Sequence, residues 1–222
     1  MAEFSPNTNL SDARQLRAWA LGTAGVLLLL SFGLFAEAVL QRKVFALWDL
    51  QINADLHDHA AAHAAWVDFL GWFTHLASTP ALLIAAGIGA ITLACMRQWR
   101  LALIWAVVTF GGLKLVDLLK HYYDRPRPDI FTRHAEESTR SMPSGHAAGS
   151  ALLMCFTAYL LIRATRRAGW YAAPVLGLFV LAIGFSRLYL GAHWASDVVG
   201  GYMLAAGWAA LGIAAAEATR ER

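Results

Sequence analysis

Long apolar stretches separated by short polar segments dominate this sequence. A helix needs roughly 20 mostly apolar residues to cross the hydrocarbon core of a bilayer. Inside a bilayer each segment must satisfy its own backbone hydrogen bonds, so such stretches are expected to be α-helices. We therefore predict an all-α, polytopic membrane protein with six transmembrane helices. The six stretches are Ala18–Leu40, Thr79–Met96, Leu101–Leu119, Ala147–Ile162, Trp170–Phe185 and Ala195–Ala216.

A shorter apolar segment, Trp66–Leu76, contains Asp68 and His75. This mixture of apolar and charged positions favours an amphipathic helix that lies at the membrane interface. Tryptophans near the ends of the apolar stretches indicate an aromatic belt at the two interfaces. These are Trp19, Trp99, Trp105, Trp170 and Trp194.

The composition supports the membrane assignment. Of the 222 residues, 58% are hydrophobic and only 15% are charged, whereas a soluble domain has about 25% charged residues. This excludes an ordinary soluble domain, a coiled coil and a disordered chain. The 18 Lys and Arg nearly balance the 15 Asp and Glu, and without a basic run interleaved with aromatics no nucleic-acid partner is expected. No linker divides the chain, so residues 1–222 are expected to form one domain.

The first apolar stretch has two interpretations. Arg14 and Arg17 precede it, and Ala36-Glu37-Ala38 resembles the cleavage site of a signal peptide. However, the stretch is longer than the 7–15 residues of a typical signal-peptide core, which favours a retained helix.

The distribution of basic residues suggests an orientation. Six spans place the N-terminus, the Arg97–Arg100 turn, the Arg163–Arg167 turn and the C-terminal tail on one side. The 18 Lys and Arg divide equally, nine on each side. Because the first nine lie close to helix ends in short segments, where the positive-inside bias is strongest, we assign that side to the cytoplasm.

Three polar clusters interrupt the apolar pattern. Lys120–Pro128 follows the third span, Pro143–His146 opens the fourth, and Ser186–Asp197 joins the fifth to the sixth. Two crossings separate the second cluster from the third, so all three are expected on the same, extracytoplasmic, face.

These clusters contain groups that suit an anion. Lys120, Arg127 and Arg187 are cations, and a guanidinium can hold a phosphate with two parallel hydrogen bonds. Ser144 is predicted to cap a helix whose free N–H groups, with Gly145 allowing close approach, form a further anion site.

Two histidines accompany the cations. His193 and Asp197 are four residues apart, so on a helix they would share a face, and the carboxylate would orient the imidazole. His146 supplies a second imidazole. An anion site beside an oriented imidazole indicates phosphoryl transfer.

The three motifs resemble the signature of the type-2 phosphatidic acid phosphatase superfamily, which includes membrane lipid phosphatases and, more distantly, soluble vanadium haloperoxidases. They read Lys-x6-Arg-Pro, Pro-Ser-Gly-His and Ser-Arg-x5-His-x3-Asp, without departure at any signature position. The resemblance extends over residues 120–197.

The resemblance implies a role for each matching residue. His193 would attack phosphorus to give a phosphohistidine, with Asp197 orienting it, and His146 would act as general acid and then base. No metal or cofactor is implied. The implied phosphate ligands are Lys120, Arg127, Ser144, Gly145 and Arg187.

Other polar residues have competing interpretations. His57, His59 and His63, near Asp55 and Asp58, could bind a metal, but a solvated polar loop is favoured. Lys114 and Asp117 could line an ion path, but pairing with each other is favoured. Residues near the first motif are expected either to support the site from behind or to be solvated; these are Asp124, Arg125 and Asp129. Small residues in the last span are expected to allow close helix packing, namely Gly200, Gly201, Gly207 and Gly212.

The expected function is that of a multi-pass phosphatase of the cytoplasmic membrane, acting at the outer interface. Its partners would be the bilayer and a lipid phosphomonoester or diphosphate, of the phosphatidic acid, phosphatidylglycerol phosphate, isoprenoid diphosphate or lipid A type. A phosphotransferase is the alternative among enzymes, and a transporter using Lys114 and Asp117 is the alternative outside them. The sequence does not select one lipid, exclude a soluble phosphorylated substrate or determine the oligomeric state.

Overall fold

The protein is built from helices. A computed structural model describes residues 6–128 and 140–220, and their only β-type pairing is an isolated bridge between Pro126 and Arg140. A 3-10 turn at His75–Ala77 links α3 to α4, and a π-helical segment at Val107–Gly111 links α5 to α6. The α-helices of the described residues are α1 Pro6–Gln41, α2 Lys43–Ala62, α3 Ala64–Thr74, α4 Thr79–Cys95, α5 Trp99–Ala106, α6 Gly112–Tyr123, α7 Gly145–Tyr189 and α8 Ala195–Ala218.

The number of membrane spans is five or six. Five helices of the described residues are long and apolar enough to cross a membrane by themselves. A further pair, Ala64–Ala77 and Thr79–Cys95, is long and apolar enough only when the two helices are taken together, and it is bent by 40°. The segment predicted to lie at the interface is therefore the first half of this bent pair. The predicted polytopic helical class is confirmed, and the predicted six spans are reached when the pair is counted as one. The five single spans are Asp12–Gln41, Trp99–Tyr123, Gly145–Thr165, Arg167–Tyr189 and Ala195–Ala218.

Helix α7 has two arms, Gly145–Thr165 and Arg167–Tyr189. Its beginning and its end both meet the start of α8. Ser144 N–H donates to the carbonyl of Asp197 at 3.0 Å, and His193 N–H donates to the carbonyl of Arg187 at 3.3 Å. The second and third polar clusters therefore lie at the same end of the helical bundle, as the sequence predicts.

Glycines allow helix α8 to lie against its neighbours. A Cβ placed at Gly207 would lie 3.1 Å from the carbonyl oxygen of Gly25 in α1, and one at Gly201 would lie 2.9 Å from the carbonyl oxygen of Ser144. A Cβ at Gly201 would clash with that carbonyl, and one at Gly207 would force its neighbour to shift. Backbone therefore packs closely on backbone at both positions. The predicted packing role of the glycines in the last span is confirmed.

Helix α2 covers His57 and His59, so the predicted polar loop is wrong. The predicted exposure of this cluster is confirmed except at His57, which is half-buried; the exposed members are Asp55, Asp58, His59 and His63. The inward face of α2 carries Asp49, Asn53 and Ala60, which are buried. Polar residues at two of these positions remove the apolar repeat by which a packed helix is normally recognised.

Trp105 is also placed differently from the prediction. It belongs to the main hydrophobic cluster, with only 4% of its surface exposed, and its indole N–H donates to the carbonyl of Ala86 at 2.7 Å. The indole has a partner inside the protein and does not join an interfacial belt. Trp19, Trp99 and Trp170, in contrast, are exposed.

The contact between α1 and α8 gives a matched pair of substitutions. A Cβ at Gly25 would lie 2.9 Å from the carbonyl oxygen of Gly207, whereas one at Gly33 would meet nothing within 4 Å. We expect Gly25→Ala to reduce the free energy of unfolding by about 1–3 kcal/mol through overpacking. Gly33→Ala, on the same helix, should leave it unchanged or raise it by about 1 kcal/mol. Unfolding in detergent measures both, and equal effects would contradict the close packing.

Candidate active site

The predicted clusters converge where α6, α7 and α8 meet. Lys120 lies in the last turn of α6, and its ammonium group is 3.5 Å from the carbonyl oxygen of Arg140. Arg127 donates to the carbonyl of Ala192 at 2.7 Å, which ties the first cluster to the third. A Cβ placed at Gly145 would lie 3.8 Å from Cε of Lys120, so the first cluster also adjoins the second.

The start of α7 has the predicted cap. Ser144 is the N-cap residue, and its hydroxyl oxygen accepts from the N–H of Ala147 at 3.5 Å. Gly145 begins the helix, and His146 follows it with 9% of its surface exposed. A helix N-terminus directs its unpaired N–H groups and the positive end of its dipole outward. This end of α7 therefore favours an anion.

Arg187, in the last turn of α7, is buried with 5% of its surface exposed. Its guanidinium donates to the hydroxyl of Thr74 at 3.3 Å, so the end of α3 also contacts the cluster. The positive charges of Arg187, Lys120 and Arg127 all act electrostatically on both His146 and His193. The predicted cations and imidazoles thus share one electrostatic environment.

His193 is completely buried. Nδ1 lies 3.4 Å from Oδ2 of Asp197, while Nε2 is buried without a hydrogen-bond partner in residues 6–128 and 140–220. Burial holds the pKa of the imidazole well below its ordinary value, and the positive charges of Lys120, Arg127 and Arg187 lower it further. His193 is therefore a neutral imidazole at neutral pH, with Nε2 available for another group.

A helix cap, rather than a shared helical face, brings Asp197 to His193. Helix α8 begins at Ala195, so His193 precedes it and Trp194 is its N-cap residue. Oδ2 of Asp197 accepts the N–H of Trp194 at 3.0 Å as well as approaching the imidazole. The predicted pairing is present, but its geometry comes from the turn before α8.

Arg125 lies beside the first motif but is not one of its signature residues. Only 10% of its side chain is exposed, and its guanidinium bridges two buried carboxylates. It donates to Oδ1 of Asp197 at 2.6 Å and to Oδ2 of Asp49 at 2.7 Å. It also contacts the ring of Trp194, 5.6 Å from its centroid. Of the two predicted alternatives for this residue, the structure shows support of the site from behind.

Asp124 and Asp129, which lie near the first motif with Arg125, differ from it. Asp124 is 71% exposed and pairs with Arg140 at 2.7 Å, so it lies at the surface. Asp129 lies outside the described residues.

Helix α2 contributes contacts that no motif indicates. Asp49 accepts the backbone N–H of Ser196 at 2.9 Å and its hydroxyl at 2.5 Å. Asn53 donates to the carbonyl of His193 at 3.3 Å. Their only sequence signal is a spacing of four residues, which places both on one face of α2. Asp49 and Asn53 fix the turn that carries His193.

His59, in α2, lies beside the end of α7. Nδ1 of His59 is 2.8 Å from the hydroxyl of Tyr189. The rings of His59 and His63 stack 4.0 Å apart. In the part of the chain that the structure describes, no group of three or more His, Cys, Asp and Glu side chains is arranged to hold a metal ion.

The predicted pairing of Lys114 with Asp117 is confirmed at 2.7 Å, and both side chains are exposed, by 68% and 49%. The pair lies on the outer surface of α6 and not along an interior path.

The chain belongs to the PAP2 superfamily, whose family model matches residues 99–220. It is 33% identical to phosphatidylglycerophosphatase B of Bacillus subtilis over 59% of this chain and 66% of that protein. It is 30% identical to a lipid A 1-phosphatase of Rhizobium etli over 51% and 49% of the respective chains. It is 31% identical to the undecaprenyl-diphosphatase BcrC of Bacillus subtilis over 52% and 58%. The matches therefore span about half to two thirds of these relatives.

A solved structure has the same fold. The transmembrane PAP2-type phosphatidylglycerolphosphate phosphatase of Bacillus subtilis superposes with a TM-score of 0.73 and 27% identity, covering 86% of this chain and 93% of that one. The similarity therefore extends beyond the motifs to most of the helical frame.

Removing Arg125 tests the buried bridge. Arg125→Gln leaves Asp49 and Asp197 without their shared cation, and breaking a buried ion pair in this way costs about 3–5 kcal/mol. Asp124→Asn is the matched control, because the exposed pair that it breaks contributes at most about 1 kcal/mol. Unfolding in detergent measures both variants. Equal losses would show that the buried bridge does not stabilise the protein more than a surface pair does.

Proposed function

We propose that this protein is an integral membrane phosphatase that hydrolyses a lipid phosphomonoester or diphosphate through a phosphohistidine intermediate on His193. The observation that carries the proposal is the environment of this imidazole. It is neutral and buried, its Nε2 atom has no hydrogen-bond partner within the described chain, and three cations act on it. A nucleophile must be unprotonated, and cations are needed where phosphate charge develops.

In the first step Nε2 of His193 attacks phosphorus in line. The new N–P bond forms as the bond from phosphorus to the leaving oxygen breaks, and His146 donates a proton to that oxygen. The leaving oxygen is the ester oxygen of a phosphomonoester or the bridging oxygen of a diphosphate, so the lipid departs as an alcohol or as a lipid phosphate. Asp197 stabilises the positive charge that the His193 ring acquires. The negative charge of the bound phosphate favours the protonated form of His146, so binding prepares the acid that the step requires.

In the second step water attacks the phosphohistidine. His146, now neutral, accepts a proton from this water; the N–P bond breaks, and inorganic phosphate leaves. In both steps the equatorial oxygens carry transition-state charge. They are held by Lys120, Arg127, Arg187, the Ser144 hydroxyl and the Gly145 N–H. These fixed positive groups make the reaction independent of a metal.

A lipid substrate is supported by the position of the cluster and by the relatives. The cluster lies at the ends of apolar helices, where a headgroup meets the protein and an acyl or isoprenoid chain stays in the bilayer. The named relatives are a phosphatidylglycerophosphatase, a lipid A 1-phosphatase and an undecaprenyl-diphosphatase. The proposed substrate class covers the phosphomonoesters and diphosphates in these names.

We also propose that the cluster faces the periplasm or cell exterior, in the cytoplasmic membrane. The arginine-bearing segments Arg97–Arg100 and Arg163–Arg167 support this orientation through the positive-inside rule. A fluorescent protein fused to the C-terminus, on the same side as those segments, should fold and fluoresce. An alkaline phosphatase fusion at that position should be inactive. The opposite pair of results would reverse the orientation.

Assays of the purified protein test the substrate class. Phosphate release is expected from at least one of phosphatidic acid, phosphatidylglycerol phosphate and an isoprenoid diphosphate. A chelator should not reduce the rate, and vanadate, which mimics five-coordinate phosphorus, should inhibit. Loss of lipid phosphate to an acceptor without phosphate release would indicate a phosphotransferase. Movement of a lipid across liposomes without loss of phosphate would indicate a transporter.

Substitution of each histidine tests its separate role, and each variant serves as the control for the other. His193→Ala should abolish release from every substrate, because no nucleophile remains. His146→Ala should slow release from a lipid alkyl phosphate by about 10²–10⁴-fold, but slow an aryl phosphate far less, since its leaving group needs no proton. Rates on both substrates for both folded variants provide the measurement. Turnover by His193→Ala would remove the nucleophile assignment, and equal losses for His146→Ala would remove the acid.

A further inference from the structure

A groove of about 1160 Å³ lies at the end of the bundle opposite the candidate active site. Its lining includes Arg163, near the end of the first arm of α7, and Arg220, beyond the end of α8. Both helices begin at the candidate active site. Helix α8 has 24 residues and is therefore about 36 Å long, which exceeds the thickness of a hydrocarbon core. The groove and the candidate active site thus belong to opposite faces of the membrane.

The walls of this groove are apolar. Ile88 of α4 and Leu160 and Leu161 of α7 line it, together with Leu93 and Leu153 from the hydrophobic core. Ile88 is 61% exposed, so the groove opens to the surroundings of the bundle. An apolar groove that opens beside a membrane-spanning helix is suited to an acyl chain.

Positive charge is concentrated in the same lining. Four arginines contribute to it, and none of its lining residues that the structure describes is acidic. One carboxylate adjoins the lining: Glu217 lies 3.9 Å from the guanidinium of Arg220. Four arginines against one glutamate leave an excess of positive charge. A guanidinium matches the geometry of a phosphate group. The four are Arg97, Arg100, Arg163 and Arg220.

Arg163 is held in place by a hydroxyl group and a backbone carbonyl. It donates to the hydroxyl of Tyr159 at 3.1 Å and to the carbonyl of Ala216 at 3.5 Å. The hydroxyl of Tyr159 in turn donates to Glu217 at 2.7 Å. This network positions a charged guanidinium in the groove wall, where it can bind an anion.

Arg97 occupies an unusual backbone position. It follows α4 with a φ of 59°, in the left-handed region. Its N–H donates to the carbonyl of Ala94 at 2.8 Å, and that of Gln98 donates to the carbonyl of Leu93 at 2.9 Å. Glycine is ordinarily favoured where a helix ends in this way. An arginine at this position costs backbone stability, which points to a use for its side chain.

We propose that this groove binds an anionic phospholipid of the leaflet opposite the candidate active site. The phosphodiester contacts the arginines, and an acyl chain lies along the apolar wall formed by Ile88, Leu153 and Leu160. A zwitterionic lipid would bring its own ammonium group close to these cations, so like-charge repulsion discriminates against it. The ligand is a phosphodiester lipid bound far from the proposed reaction, and the site is independent of the proposed function.

Native mass spectrometry of the full-length protein in detergent tests the proposal. Dioleoylphosphatidylglycerol should bind as one retained molecule per chain, with higher affinity than dioleoylphosphatidylcholine. Lys120→Gln, in the candidate active site, should leave this binding unchanged. Equal affinity for the two lipids, or loss of binding in Lys120→Gln, would overturn the proposal. Retention of a second copy of the chain in place of lipid would make the groove a protein interface and would also overturn it.

Substitutions in the groove provide the second part of the test. Arg97→Gly suits the left-handed backbone, so its unfolding midpoint without added lipid should equal or exceed that of the original protein. Its affinity for phosphatidylglycerol should nevertheless fall about tenfold, as should that of Arg100→Gln. Arg167→Gln is the matched control, because Arg167 lies near the same end but does not line the groove. An equal loss in Arg167→Gln would show that binding follows overall charge and not this groove.

Discussion

The buried carboxylate of Asp197 is the constraint on which the site depends. An ionised carboxylate removed from water must have compensating partners. Here Arg125, the N–H of Trp194 and the ring of His193 fill that role. Arg125 also contacts Asp49, whose carboxylate holds Ser196. The turn before α8 is thus fixed from α2 and from the segment after α6, and the imidazole takes its orientation from both.

Charge balance also explains how His193 can lie among cations. The ring is neutral, because burial and the three neighbouring positive charges lower its pKa. Its Nδ1 atom adjoins the carboxylate, which leaves Nε2 for the group that the cations attract. Under the proposed mechanism the ring becomes positive only while phosphate is attached, when negative charge lies beside it. The arrangement is therefore most stable with an anion bound.

The sequence predicts the spans and the convergence of the motifs well, because both follow from the length of the apolar segments and the number of membrane crossings. Apolar length defines a span, and the motifs then fall at one end because α7 crosses and returns. What the sequence could not predict depends on which way a side chain faces. Asp124 ends α6 in a left-handed conformation, with a φ of 42°; it faces outward, while its neighbour Arg125 is buried. On α2, Asp49 and Asn53 resemble surface residues because their buried partners are distant in sequence. The assigned catalytic roles stay predictions.

The anchoring of both ends of helix α7 determines how the protein can adapt to bilayer thickness. Ser144 at one end and Arg187 at the other are hydrogen-bonded to the backbone around the start of α8. The chain must therefore bend back between the two arms, at the end of the bundle far from α8's start. A thinner or thicker bilayer changes the hydrophobic match of both arms. We expect the adjustment to occur by tilting about the anchored ends, with the largest displacement at the bend. The reacting groups would then keep their spacing in membranes of different lipid composition.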